Sequence, residues 1–244
     1  MNLTPSEYSI LQTIATFGHY VTRKHIELVR PDITSRWANK MLENLTEKGY
    51  LKVETFFGGY DTFVYKTTYK TRKLFGTPSA GSSNVVTIKK HLVMLHFLYQ
   101  KVGFDNHEPV STEMKRQNYL RKLGVEIFSN REPMIALTEP FVLCEPYNKD
   151  GGICISIPDH DHFEAFARPY KPLLQMVEKY KPLRDYIPIS FVVPVETSVR
   201  GRTIEAAYAS PRWFRNAPPL SVHVIDFSYN LFTLSENLER RLWI

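Results

Sequence analysis

Apolar residues recur at helical spacing from the start of the chain, with Tyr8, Leu11, Ile14, Ala15 and Phe17 on one side. Thr4-Pro5-Ser6-Glu7 precedes them as a capping box with proline at the first helical position, so a helix is predicted from Thr4 and Gly18 ends it. Thr22 caps a second short helix through Leu28, which Arg30-Pro31-Asp32 terminates. A third helix, capped by Thr34 or Ser35, runs to about Lys48 and stops at Gly49. Its inward face is predicted to hold Trp37, Met41, Leu42 and Leu45, and its other face Arg36, Asn39 and Lys40. The period then falls to two. Tyr50–Thr55 and Thr62–Thr67 alternate as strands around the turn Gly58-Gly59-Tyr60-Asp61.

The stretch 76–84 is made of small, polar and turn-forming residues and reads as a linker. It separates a module of residues 1–75 from a second of residues 85–244. In the second, Val85 to about Val102 is a helix with Leu92, Val93, Leu95, Phe97 and Leu98 on a broad apolar face. His91 and His96 within it lie about 140° apart around the axis, which suits structural histidines and not a zinc clamp. A charged helix from Ser111 to Leu123 follows, then apolar runs Met134–Leu137, Phe141–Cys144 and Ile153–Ile157, the last two forming a hairpin around 148–152. Phe163–Tyr180 is periodic as a helix that Pro169 and Pro172 kink or shorten, and Ile187–Val195 reads as a buried strand. Thr203–Ala209 gives a short helix and Ser221–Phe227 a last strand. The fold class expected is α+β.

Composition narrows the function. The chain has 244 residues, 43% hydrophobic and 23% charged, as in an ordinary folded protein. No apolar run reaches the roughly 18 residues of a membrane helix, and the first residues lack the pattern of a signal peptide, so no membrane partner and a cytoplasmic location are expected. Two cysteines, Cys144 and Cys154, are too few for a disulfide framework or a thiolate zinc site and are read as buried small hydrophobes. The 31 Lys and Arg exceed the 25 Asp and Glu, and most of that excess lies in residues 1–76.

Three helices closed by a two-stranded ribbon are the plan of a winged helix-turn-helix, whose third helix enters the major groove. On that plan Thr34, Ser35, Arg36, Asn39 and Lys40 supply hydroxyl, guanidinium, amide and ammonium groups to base edges and phosphates. Tyr60 sits at the tip of the ribbon, and Lys66, Lys70, Arg72 and Lys73, with Tyr65 and Tyr69 interleaved, adjoin it as a phosphate-following cluster. The expected partner is double-stranded DNA.

A winged helix, a linker, a helix containing Lys90-His91-Leu92-Val93 and then an αβββαβ core resembles the plasmid replication-relaxation proteins and the mobilisation relaxases of the MobC type. The resemblance implies a restriction-endonuclease-like second domain. It also implies a sequence-specific DNA-binding factor of a mobile genetic element, with protein partners in a mobilisation or replication complex. In such families an acid after an Arg-Pro pair and another acid one hairpin later bind the cation that activates water. Here Phe141 follows Glu139-Pro140, and Glu113-Met114-Lys115 falls on a helix, so that signature is degraded or displaced. The alternative function is therefore a magnesium- or manganese-dependent nickase or relaxase of PD-(D/E)XK type that draws its ligands from Glu113, Glu139, Asp159 and Asp161. The reading preferred for Asp159 or Asp161 is the cap of the helix that starts near Phe163, where an acid suits the positive end. No cofactor is otherwise expected.

Overall fold

The computed structural model describes residues 3–17, 19–56, 63–77, 85–102, 142–143, 153–157, 159, 170–184, 188–225 and 227. They fall into two compact units, residues 3–102 and 142–227, and the class is α+β.

In the first unit α1 (Pro5–Phe17) starts as its sequence dictates. The Thr4 N–H donates to Glu7 Oε2 at 2.7 Å and the Glu7 N–H to Thr4 Oγ1 at 3.2 Å. His19 then takes a left-handed conformation at φ 69°, and its N–H closes on the Ile14 carbonyl. That reversal starts β1 (Tyr20–Val21), a two-residue strand that the apolar pattern does not announce. Next come α2 (Arg23–Val29), α3 (Ser35–Glu47), β2 (Leu51–Phe56) and β3 (Phe63–Thr67). The sheet order is β1-β3-β2, all antiparallel, with a bulge between Val53 and Thr55. Gly49, at φ 72°, ends α3. Leu11, Ile14, Ile26, Leu42, Leu45 and Val64 are fully buried between the helices and the sheet.

Residues after β3 form a helix, α4 (Tyr69–Phe75), capped at its far end by left-handed Gly76. The greater part of the stretch read as a linker, residues 78–84, lies outside the described residues. The helix beyond it, α5 (Val85–Phe97), ends in a π-helical turn, Leu98–Val102, and packs in the first unit. His25 of α2 bonds the Leu92 carbonyl at 2.9 Å.

The second unit is built on a sheet of order β4-β5-β6-β7, where β4 is Val142–Leu143, β5 Ile153–Ser156, β6 Ile189–Val195 and β7 Leu220–Val224. β4 and β5 pair antiparallel; β5–β6 and β6–β7 are parallel, joined through α6 (Tyr170–Arg184) and through α7 (Ser198–Tyr208) with the short α8 (Pro211–Phe214). β6 is buried almost throughout because it lies between two neighbours, as its unbroken apolar run predicts. Leu173 and Val177 of α6 and Ile204 of α7 fill the core with Phe191 and Val193. Gly201 lets α7 lie close on the sheet, since a Cβ there would stand 3.2 Å from Val222 Cγ1. Cys154 is buried, as expected, and the helix read at Ser111–Leu123 lies outside the described residues. No helix among the described residues is long and apolar enough to cross a membrane.

Candidate nucleic-acid interface

The start of α3 is fixed by Thr34, whose hydroxyl accepts the Trp37 N–H at 3.3 Å. The Ser35 hydroxyl donates to Glu27 Oε1 at 2.8 Å, and Glu27 also pairs with Arg23, so these two hydroxyls hold the helix in place. Arg36 and Lys40 are exposed and Asn39 half-buried. None of the three side chains has an intramolecular hydrogen bond or ion pair among the described residues. Spaced i, i+3 and i+4, they share one face of α3, opposite the buried Ala38, Met41, Leu42 and Leu45.

Trp37 is not the anchor of that buried stripe. It is 38% exposed, because Ala38 occupies the seam one residue further on. The indole lies 5.9 Å from the guanidinium of Arg30, which itself grips Asp32 through two hydrogen bonds of 2.9 and 2.8 Å. Those bonds hold the Asp32 carboxyl below the usual range. Trp37, Lys40, Met41 and Asn44 line a groove of about 270 Å³ with Thr4, Ser6 and Glu7 at the start of α1. Burial alone would raise the Glu7 carboxyl, but Lys48 Nζ, at 2.7 and 2.9 Å from its two oxygens, and the Thr4 N–H outweigh it and hold Glu7 ionised.

The cluster read beside the ribbon is largely engaged within the protein. Lys66 is buried, its ammonium 3.6 Å from Glu54 Oε1 and 5.3 Å from the centre of the Tyr20 ring. Lys70 donates to the Lys48 carbonyl at 2.7 Å and lies 4.0 Å from the centre of the Tyr50 ring. Arg72 donates to the Thr67 carbonyl at 3.3 Å. Lys73 is exposed and has no such partner among the described residues, so of the four it alone matches the reading as a free cation. Tyr60 lies outside the described residues.

The acids proposed as metal ligands are not seen as a set, since Glu113, Glu139 and Asp161 lie outside the described residues. Asp159 follows β5 at the carboxyl end of the parallel strands. Both of its oxygens accept from Arg200 in the first turn of α7, Oδ2 from Nε at 2.6 Å and Oδ1 from Nη2 at 3.0 Å. The adjacent guanidinium neutralises the carboxylate and opposes a second cation at the same oxygens.

A second polar feature of the first unit escapes the sequence pattern. His25 and His96 stack edge to face at 6.0 Å between ring centres, and Tyr20 faces His91 at 5.7 Å. The tautomer of His25 follows from its partners. The Leu92 carbonyl can only accept, so Nε2 carries the proton, and Nδ1 accepts the Thr22 N–H at 3.1 Å in a capping box with histidine in the usual Glu position.

No family model, curated protein or solved structure matches this chain.

Proposed function

We propose that the first unit is a winged-helix module that binds double-stranded DNA, with α3 in the major groove and Arg36, Asn39 and Lys40 as the residues that meet it. One observation carries the reading. The polar face of α3 presents a guanidinium, an amide and an ammonium that no other part of the described structure uses, on a helix whose opposite face is seated in the core. Asn is suited to adenine edges, and Arg to guanine edges or phosphates. The order of three helices and an antiparallel ribbon agrees with that mode of docking. Thr34 and Ser35 serve as positioning residues, and the ion-paired Lys66 is removed from the set. The narrower assignment to plasmid mobilisation or replication follows from the sequence resemblance alone. For the metal-dependent nickase, the described residues supply only Asp159, which Arg200 neutralises.

The test is a fluorescence-anisotropy titration of the full chain with a mixed-sequence duplex of about 30 base pairs in about 0.1 M salt. At that salt, removing one cation that pairs with a phosphate costs roughly eightfold in affinity, because one fewer set of counterions is released. Arg36→Ala with Lys40→Ala should therefore weaken binding about 60-fold if both engage phosphates. Equal affinity of the double variant and the parent protein would overturn the assignment.

A further inference from the structure

The second unit carries an aromatic side chain in a setting that the duplex reading leaves unused. Between α7 and β7 the chain runs Ser210-Pro211-Arg212-Trp213-Phe214-Arg215-Asn216, one helical turn followed by a left-handed Asn216 at φ 62°. Its shape is fixed from behind. Phe214 is buried and stacks on Tyr208 at 4.6 Å, and the Tyr208 hydroxyl donates to the Pro218 carbonyl at 2.6 Å. Arg184 Nη2 donates to the Asn216 carbonyl at 2.6 Å, and the Trp213 and Phe214 N–H groups both bond the Ser210 carbonyl. A surface held this way loses little conformational freedom when it binds.

What the braced turn presents is Arg212, Trp213 and Arg215. Trp213 is 41% exposed, with the Arg212 guanidinium 4.9 Å from its ring centre. Arg212 and Arg215 are exposed and make no ion pair among the described residues, and residues 206–225 contain no Asp or Glu. Neither arginine has a carboxylate partner among the described residues, which suits a partner that brings negative charge. An acidic peptide would satisfy the arginines but has no use for the indole, and a duplex keeps the faces of its bases stacked within the helix. An unpaired strand offers both a phosphate and a base face. We propose that Arg212, Trp213 and Arg215 form a stacking platform for single-stranded nucleic acid, with one base on the indole and the flanking phosphates on the guanidinium groups. The inference stands on the second unit alone and does not depend on the α3 assignment.

The experiment titrates the full chain into labelled 20-mers of dT, of U and of an abasic strand in about 0.1 M salt. Trp213→Ala should weaken dT binding about tenfold or more, Trp213→Phe should retain most of it, and the abasic strand should bind weakly with no response to Trp213→Ala. Arg212→Ala with Arg215→Ala should lower the salt slope by roughly 0.7 for each arginine that pairs with a phosphate. Comparison of dT with U shows which strand chemistry is preferred. Because Trp213 is on the surface, the melting temperature should not change. Equal binding of dT by Trp213→Ala and the parent protein would overturn the proposal. So would equal binding of the abasic strand, or displacement of dT by polyglutamate as effective as by unlabelled dT.

Discussion

Lowering the pH from 7.5 to 5 should destabilise the first unit strongly. Burial pushes His19, His25 and His91 down to about 4 and His96 to about 3, and neighbouring charge adds to each shift. The neighbours involved are Arg72 and Lys66 for His19, Lys24 for His25, His19 and then Lys90 for His91, and His25 and then Lys24 for His96. The folded state therefore holds these rings neutral where the unfolded chain, with histidines near 6.5, takes up protons. Stability from the neutral rings is complete above about pH 6.5 and is lost as the pH falls from there towards 4, at about 1.4 kcal/mol per pH unit for each ring. By pH 5 a single ring shifted from 6.5 to about 4 accounts for about 2 kcal/mol of that loss. His25 also loses geometry, since a protonated Nδ1 cannot accept the Thr22 N–H. His25→Gln keeps a carbonyl for that N–H and an amide for the Leu92 carbonyl, so it should flatten the pH profile by about one proton. Urea denaturation followed by circular dichroism at pH 7.5, 6 and 5 measures both effects. A midpoint that does not move with pH would contradict the assignment of these rings as buried and neutral.

Arg200→Ala should cost about 3 kcal/mol in the second unit. The two side chains of the Arg200–Asp159 pair are each 14% exposed, and both carboxylate oxygens are held by the one guanidinium. Removing the arginine strands a mostly buried carboxylate, which is more damaging than losing the pair as a whole. Arg200→Met with Asp159→Leu should accordingly be closer to the parent protein than Arg200→Ala is. The double-mutant cycle by denaturant unfolding isolates the coupling. Independent, additive effects would show that the pair does not tie the end of β5 to α7.

Local chemistry is legible in the sequence and distant partners are not. The capping box at Thr4 and Glu7, the cap at Thr34 and the stop at Gly49 need only residues within one turn, and each forms where the residue types place it. Trp37 departs from its expected place because a large apolar side chain outweighs alanine in a periodic pattern. Ala38, Met41, Leu42 and Leu45 make the truer i, i+3, i+4, i+7 stripe, with the indole about 100° to one side of Ala38. Lys66 reads as a free cation until β2 brings Glu54 beside it, and Asp159 reads as a spare ligand until Arg200, 41 residues later, is folded against it. The two-residue β1 exists only through its register with β3, Tyr20 opposite Lys66. The packing of α5 in the first unit depends on pairs such as His25 and Leu92, which lie 67 residues apart.

The exposed polar face of α3 is the point on which the DNA-binding reading turns, and the salt dependence of duplex affinity tests it most directly. Measured between about 0.05 and 0.2 M salt, the slope of log affinity against log salt should be shallower by roughly 1.8 in the Arg36→Ala, Lys40→Ala protein than in the parent, about 0.9 for each phosphate left without its cation. Two parallel lines would mean that this face never meets the duplex.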